Sequence, residues 1–135
     1  AAKQGHADAQ YNLGAMYRQG QGVKQDYSKA REWFEKAAKQ GYAGAQCNLG
    51  NMYDHGKGVK QDLSKAREWW EKAAKQGHKL AQYNLGSMHK NGQGVEQSDS
   101  NAIRWFAKAA AQGDEDAQVA INAILAVKRS RESSK

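Results

Sequence analysis

The chain has 135 residues with a formal net charge of +7, no proline and 39% hydrophobic residues. This length predicts one domain, and no apolar run approaches the roughly 20 residues that a membrane-spanning helix needs. The single cysteine excludes an internal disulfide framework, and the modest positive charge permits an acidic partner without requiring one.

The sequence repeats with a period of 36 residues. The segment AKQGHADAQYNLGAMY at 2–17 returns as AKQGYAGAQCNLGNMY at 38–53 and, with changes, as AKQGHKLAQYNLGSMH at 74–89. A fixed period of this length is typical of a solenoid, in which one supersecondary unit is copied along an axis. Such a fold offers an extended surface of equivalent positions rather than one deep catalytic pocket.

The first residues are interpreted as the remnant of an earlier repeat. Residues 1–5 are identical to 37–41 and 73–77, and each of those segments ends a predicted helix. We therefore expect 1–5 to be a helix stub and any targeting segment to lie upstream of it. The face that this stub should cover is expected to be exposed, so the chain is expected to fray there or to self-associate.

The first helix of each repeat, helix A, is predicted at about 7–19, 43–55 and 79–91, where apolar residues recur at helical spacing. Each helix A is expected to stop at a glycine, which adopts the left-handed C-terminal conformation without steric penalty. Glycine inside a helix is unfavourable by about 1 kcal/mol relative to alanine, so its recurrence at one register predicts close helix approach. These internal glycines are Gly14, Gly50 and Gly86.

The second helix, helix B, is predicted to begin at Asp26, Asp62 and Ser98, which are residue types that cap helix N termini. Its apolar residues follow the offsets 0, 3, 4, 7 and 8 and form one broad face. Arg31–Glu35 and Arg67–Glu71 are predicted as surface ion pairs one turn apart.

A closing helix is predicted at 115–127, with Asn122 in the register of the internal glycines, so no further helix is expected to pack there. The face formed by Val119, Ala123 and Val127 either receives an apolar side chain or packs against the C-terminal tail, and the tail is the expected cover. The basic tail at 128–135 is expected to be disordered.

The residues A-x-AQ-x-x-LG-x-MY-x-x-G-x-GV-x-x-D-x-x-KA-x-x-W resemble the Sel1-like repeat, a relative of the tetratricopeptide repeat. The resemblance covers repeats at about 6–41, 42–77 and 78–113 within a single solenoid domain at 1–127. It implies an all-α fold, a right-handed α/α superhelical solenoid of antiparallel helix pairs with the A helices on the concave side. It also implies bacterial adaptor or scaffold proteins that bind other proteins, many of them periplasmic or secreted.

The chain departs from the cysteine-rich branch of that family, which has a disulfide in each repeat. Cys47 stands alone. Properties of that branch, including penicillin binding, are therefore not carried over.

Comparison of the copies predicts a partner-binding face on the A helices. The positions that vary share one helical face, which the family resemblance places in the concave groove. The predicted partner-binding residues are Tyr11, Asn12, Arg18, Gln19, Asn48, Asn51, Asp54, His55, Tyr83, Asn84, Ser87, Lys90 and Asn91.

Each group on this face has a functional and a structural interpretation. The asparagines at 12, 48 and 84 either bond a peptide backbone as a ladder or bond neighbouring helices and water. The alternating charges at 18, 54 and 90 either set the register of a ligand or relieve repulsion between layers. Tyr11 and Tyr83 are either contact anchors or packing at the edge of the core.

The primary hypothesis is therefore a non-catalytic module that binds a peptide segment or folded surface of another protein. The alternatives are an immunity or inhibitor protein that caps a secreted bacterial enzyme, and a binder of glycans or small molecules. Neither a cofactor nor a metal nor nucleic acid nor membrane insertion is expected.

Other chemistry lacks its full motif. The Gly-x-Gly turns join helix to helix and lack the other residues of a phosphate-binding loop. Ser87 and Lys90 match S-x-x-K, but the chain has no threonine for the partner K-T-G motif. The four histidines lack metal-ligand spacing.

Overall fold

The computed structural model describes the backbone of residues 2–133 and the side chains of residues 6–133. Within residues 2–133 all regular structure is α-helical, which confirms the predicted all-α fold class. The helices are α1 (Ala2–Gln19), α2 (Tyr27–Lys39), α3 (Ala43–His55), α4 (Leu63–Lys75), α5 (Lys79–Asn91), α6 (Asp99–Ala110) and α7 (Glu115–Ser133). The chain divides into two compact units, Ala1–His78 and Lys79–Lys135.

Unit 1 contains α1 to α4, and each helix packs against the next along the chain. Its core combines the apolar stripe of helix B with small and apolar residues of the A helices. Phe34 of α2 and Leu49 of α3 are fully buried in it. The core of unit 1 is therefore built from alternating A and B helices, as the repeat predicted.

Unit 2 contains α5 to α7, in which α5 packs on α6 and α6 packs on α7. Phe106 of α6 is buried against Ile121 and Ile124 of α7, with Tyr83 of α5 at the edge of the cluster. This unit repeats the arrangement of unit 1 but ends, within the described residues, on an A helix.

The internal glycines lie where an A helix meets the B helix of its own repeat, as predicted. A Cβ atom added to Gly50 would lie 2.4 Å from Trp70 Cδ1, and one added to Gly86 would lie 2.6 Å from Phe106 Cδ1. Gly14 has the same relation to Phe34, at 2.8 Å. The aromatic ring occupies the space that any other side chain would need.

The predicted helix boundaries are also confirmed. Asp26 and Asp62 each accept a hydrogen bond from a backbone N–H at 3.1 Å in the first turn of helix B, and Ser98 does so at 3.1 Å. Gly56 ends α3 with a φ of 68°, in the left-handed region. The two predicted ion pairs form, at 3.1 Å for Arg31–Glu35 and 2.9 Å for Arg67–Glu71.

Glutamine pairs that were not predicted from the sequence join the two helices of each repeat, and in each pair the glutamine of helix A is buried. Gln76 Nε2 donates to Gln46 Oε1 at 2.9 Å, and Gln46 Nε2 donates to the Ala38 carbonyl at 3.2 Å. The equivalent pairs are Gln40–Gln10 at 2.7 Å and Gln112–Gln82 at 2.8 Å. The signal was present in the sequence, because the AQ and KQG or AQG segments recur with a constant separation.

Residues 2–5 are helical, but the predicted break between this stub and helix A is wrong, because they continue into α1. In the later repeats Gly41 N–H bonds to the Ala38 carbonyl and Tyr42 N–H to the Ala37 carbonyl, which fixes the turn. Gly5 lies beside good helix formers such as Lys3 and Gln4, and α1 continues through it. The side chains of 1–5, on which the predicted self-association depends, lie outside the described residues.

The prediction of a disordered tail is wrong for Lys128–Ser133, because α7 continues to Ser133. Lysine, arginine and glutamate are good helix formers, and Arg129 Nε also donates to the Leu125 carbonyl at 3.4 Å. Residues 128–133 therefore do not fold back on α7, and the prediction that this part of the tail covers Val119 and Val127 is wrong. These two side chains are 64% and 50% exposed.

Candidate functional site

The structure brings three predicted partner-binding residues of unit 1 into one polar network. Arg18 Nη1 of α1 donates to Asn48 Oδ1 of α3 at 3.3 Å, and Asn48 Nδ2 donates to the Tyr11 hydroxyl at 3.4 Å. The varying face of α1 therefore lies beside the varying face of α3. We call this surface, formed by the predicted residues of α1 and α3, the helix-A face of unit 1.

Tyr11 and Tyr83 both take the packing position at the edge of the core. The Tyr11 ring lies 5.6 Å from the Phe34 ring and 4.9 Å, edge-on, from the Tyr42 ring. In unit 2 the Tyr83 ring lies 5.3 Å from Phe106. These contacts support the structural interpretation, and contact with a partner stays a prediction for both residues.

The three asparagines of the predicted ladder are not equivalent. Asn12 is exposed, whereas Asn48 and Asn84 are half-buried. Asn48 is already bonded to Arg18 and Tyr11. It therefore orders α1 against α3, and Asn12 is the asparagine of unit 1 that is most accessible to a ligand.

The C-terminal end of α3 holds the other predicted residues of unit 1. Trp70 Nε1 donates to Asn51 Oδ1 at 3.2 Å, so this asparagine also connects an A helix to its B helix. His55 Nδ1 lies 2.8 Å from the Asn51 carbonyl oxygen and 3.6 Å from Asp54 Oδ2. The imidazole of His55 is exposed.

The remaining predicted residues differ in exposure. Gln19, at the end of α1, is exposed. In unit 2 Lys90 and Asn91 are exposed and Ser87 is half-buried. Among these four residues the exposed ones, Gln19, Lys90 and Asn91, lie at the C-terminal ends of α1 and α5.

A cavity of about 240 Å³ opens on the helix-A face of unit 1. It lies where α1, α3 and the start of α2 meet, and we call it the Arg18 cavity. Its lining residues are Arg18, Tyr27, Asn48, Asn51, Met52, His55 and Lys57. Four of these were predicted from the sequence, and Tyr27, Met52 and Lys57 were not.

Unit 2 has a cavity in the same register, two repeat periods later. Its volume is about 360 Å³, and Lys90 stands in the place of Arg18. Its lining residues are Lys90, Gln97, Asp99, Ala123, Ile124, Val127 and Arg131. The same place in the repeat is thus hollow in both units, with different side chains around it.

The chain has one thiol, that of Cys47, and it is unreactive near neutral pH. Cys47 is 1% exposed, and burial raises its pKa from 9.0 to about 12. Because the thiolate is the reactive form of cysteine, this thiol is unsuited to nucleophilic or redox chemistry near neutral pH.

Two further pKa values are shifted near the N-terminal ends of A helices. Burial, together with the side chain of Asp8, raises the pKa of Tyr42 above its ordinary value, and burial lowers that of His78. Among the side chains of residues 6–133 there is no group of three or more His, Cys, Asp or Glu that would hold a metal ion.

No helix in the described range combines the length and the apolar character needed to cross a membrane.

Comparison with protein families places three Sel1 repeats on this chain, at residues 7–42, 43–78 and 79–114. These bounds begin one residue later than the predicted repeats. The search of curated proteins gave no significant match.

Solved structures of similar proteins share the fold. A protective antigen of uropathogenic Escherichia coli strains, described as displaying an SLR fold, matches with a TM-score of 0.82 and 42% identity over 86% of this chain and 25% of its own. A Sel1 repeat protein from Oxalobacter formigenes matches with a TM-score of 0.82 and 36% identity over 85% of this chain and 47% of its own. Helicobacter pylori cysteine-rich protein B matches with a TM-score of 0.70 and 29% identity over 84% of this chain and 87% of its own.

The chain thus spans about a quarter and about half of the first two of these proteins. The family matches extend over residues 7–114 without a gap and so cover most of the sequence. With the helix pairs, the caps and the glycine contacts described above, they show that this chain belongs to the Sel1 repeat family.

Proposed function

We propose that the helix-A faces of this chain bind a segment or surface of another protein. Sel1 repeats generally mediate protein–protein interactions and are typically non-catalytic modules. The proposal adds a location to that general role, the predicted residues of α1, α3 and α5.

The observation that carries this proposal is the cavity in the helix-A face of unit 1. Residues that differ between the repeats line it, including Arg18, Asn51 and His55. Residues that the repeats share, such as Leu49 and Leu85, are fully buried in contrast. A surface that varies on a constant framework is what a binding module needs, because its specificity changes without loss of the fold.

The ordered polar groups of this face also favour recognition of a protein. Asn48 and Arg18 hold each other in place, so a ligand meets side chains that have already lost rotational freedom. Asn12 and Gln19 are exposed amides beside them, and an amide both donates to and accepts from a peptide backbone. The face therefore combines a preformed hollow with groups suited to a polypeptide.

The test is an affinity capture from the native organism with two matched variants. The face variant carries Asn12→Ala, His55→Ala and Lys90→Ala, which are exposed residues of the A helices. The control variant carries Lys39→Ala, Ser64→Ala and Asn101→Ala, which are exposed residues of the B helices and remove the same net charge. Circular dichroism of both variants checks that helicity is unchanged.

We expect a protein that the wild type and the control variant retain and that the face variant loses. Equal recovery by the wild type and the face variant would place the interaction elsewhere and refute the proposed face. If the captured protein is an enzyme, its inhibition by the wild type would select the inhibitor role over the adaptor role.

A further inference from the structure

We infer that the Arg18 cavity binds a carboxylate side chain, so that the partner of unit 1 is an acidic protein segment. This inference rests on the proposed function and names the chemistry of the partner. It follows from the charges around the cavity, from how they are held, and from a comparison with the cavity of unit 2.

Two formally positive side chains line the Arg18 cavity, and no aspartate or glutamate is among its lining residues. Arg18 comes from α1 and Lys57 from the turn after α3. The nearby carboxylate of Asp54 lies 3.6 Å from the His55 ring instead. The cavity therefore has an excess of positive charge that its own walls do not neutralise.

Both cations are held in position by neighbouring groups. Arg18 Nη1 donates to Asn48 Oδ1 at 3.3 Å, and its Cζ lies 5.9 Å from the centre of the Phe34 ring. Lys57 Nζ lies 5.1 Å from the centre of the Tyr27 ring. Because these contacts order the side chains before a ligand arrives, less conformational entropy is lost on binding.

The chemistry and size of the cavity favour a carboxylate on a side chain. A guanidinium has five N–H donors in a planar fork that matches a carboxylate, and Asn48 engages one of its nitrogens. The buried side chain of Met52 and the tyrosine ring form an apolar wall, where charge–charge attraction is stronger than in water. At about 240 Å³ the cavity is smaller than the roughly 300 Å³ at which small-molecule sites begin, so it suits one side chain.

The cavity of unit 2 provides an internal comparison. At the position of Tyr27 it has Asp99, and at the position of His55 it has Val127. In unit 2 the carboxylate of Asp99 thus lines the same cavity as the cations Lys90 and Arg131. The two cavities share a register, but only that of unit 1 lacks its own counter-charge.

Tyr27 is therefore the residue that sets the preference. Replacing it with aspartate would give the Arg18 cavity the carboxylate that unit 2 has. Tyr27 is the first residue of α2, where an acidic residue is favourable to the helix, so Tyr27→Asp should fold. Tyr27→Phe is the matched control, because it keeps the ring beside Lys57.

The experiment titrates the whole chain with two blocked peptides, acetyl-tetraglutamate amide and acetyl-tetraglutamine amide, and follows ¹⁵N chemical shifts. We expect tetraglutamate to give saturable shifts at the Arg18 Nε and Asn48 side-chain signals, and tetraglutamine to give none. The double variant Arg18→Gln and Lys57→Gln, which removes both cations, should bind tetraglutamate about tenfold more weakly, because two ion pairs of surface strength are lost.

Matched variants separate this cavity from general attraction by a basic protein. Lys24→Gln with Lys60→Gln removes the same charge from unit 1 outside the cavity, and it should change affinity less than about twofold. Tyr27→Asp should weaken binding about fivefold or more and Tyr27→Phe less than about twofold. An equal loss of affinity in the Arg18/Lys57 double variant and the Lys24/Lys60 double variant would overturn the inference. Equal binding of the two peptides would overturn it as well.

The outcome also separates this inference from the proposed function. If a captured protein depends on the helix-A face but tetraglutamate does not bind at Arg18, the carboxylate inference fails and the proposed function stands. If tetraglutamate binds there but the face variant retains every captured protein, the anion site stands and the proposed function fails.

Discussion

Gly50→Ala should destabilise the protein even though alanine is the better helix former. A Cβ atom at this position would lie 2.4 Å from both Cδ1 and Nε1 of Trp70. No ordinary contact is so short, so the ring must move. Trp70 is 5% exposed and its Nε1 donates to the Cys47 carbonyl at 3.2 Å, so it has neither free space nor a free polar atom with which to adjust.

The expected magnitude follows from opposing effects. Replacing glycine inside a helix gains about 1 kcal/mol from helix propensity. Overpacking a core typically loses about 1–3 kcal/mol, and displacing the tryptophan weakens a hydrogen bond with a net contribution of about 1 kcal/mol. We therefore expect the free energy of unfolding to fall by about 1–3 kcal/mol.

Gly44→Ala is the control, because it lies in the same helix and its added Cβ would meet Tyr11 Cε1 at 3.3 Å, a contact that needs only a small adjustment. Urea unfolding followed by tryptophan fluorescence should give a lower midpoint for Gly50→Ala and an unchanged or higher midpoint for Gly44→Ala, with similar slopes. Equal gains in stability for both variants would refute the packing argument.

Three further predictions concern the core, the thiol and the C-terminal helix. Gln76→Ala should lower the free energy of unfolding by about 1–3 kcal/mol in urea titrations, because it removes the partner of the buried Gln46 amide; an unchanged midpoint would contradict this. Burial holds the Cys47 thiol protonated with a pKa of about 12 against an ordinary 9.0, so the unfolded chain releases the proton first and stability should fall as pH rises above about 9. Cys47→Ala should make that decline less steep, and a wild-type decline identical to that of the variant would exclude the thiol as a cause. Deleting residues 128–135 should reduce the helical circular dichroism signal while changing the unfolding midpoint little, because the described side chains there are exposed; an unchanged signal would contradict the helical extension of α7.

Most of the fold could be predicted because the same capping residues, glycines and apolar stripes recur in each repeat. Asp26 and Gly56 mark helix ends through their own conformational preferences, and the structure has them in those roles. The register of Gly50 carried information on close approach, since the unfavourable residue recurs in every copy. Its aromatic neighbour Trp70 could not be identified from spacing alone, because that contact depends on the angle between two helices.

The two ends of the chain were predicted less well for a physical reason. Gly5 repeats the sequence of the turn at Gly41, but residues 2–5 continue as helix into α1. The segment after Val127 is polar and resembles a solvated tail, yet its residues favour helix and continue α7. In both places the residues also favour helix, and local sequence alone does not decide between helix and the predicted alternative.

The candidate site was predicted in part. Periodicity placed Arg18, Asn48 and His55 on one face, and the structure brings all three around one cavity. Tyr27 and Lys57 were missed because they come from the start of helix B and from a turn, which helical periodicity does not assign to a face. The sequence left open whether Asn48 bonds a peptide ligand or a neighbouring helix. The distance between α1 and α3 decides between these, and spacing along the chain does not give that distance.

The most direct test of the central claim is to map the partner on the chain. Once a protein has been captured, ¹⁵N spectra of this chain with and without it report which helices it contacts. The account predicts the largest changes in α1 and α3, including the side-chain amides of Asn12 and Gln19. Changes confined to α2, α4 and α6 would contradict it and would assign binding to the B helices.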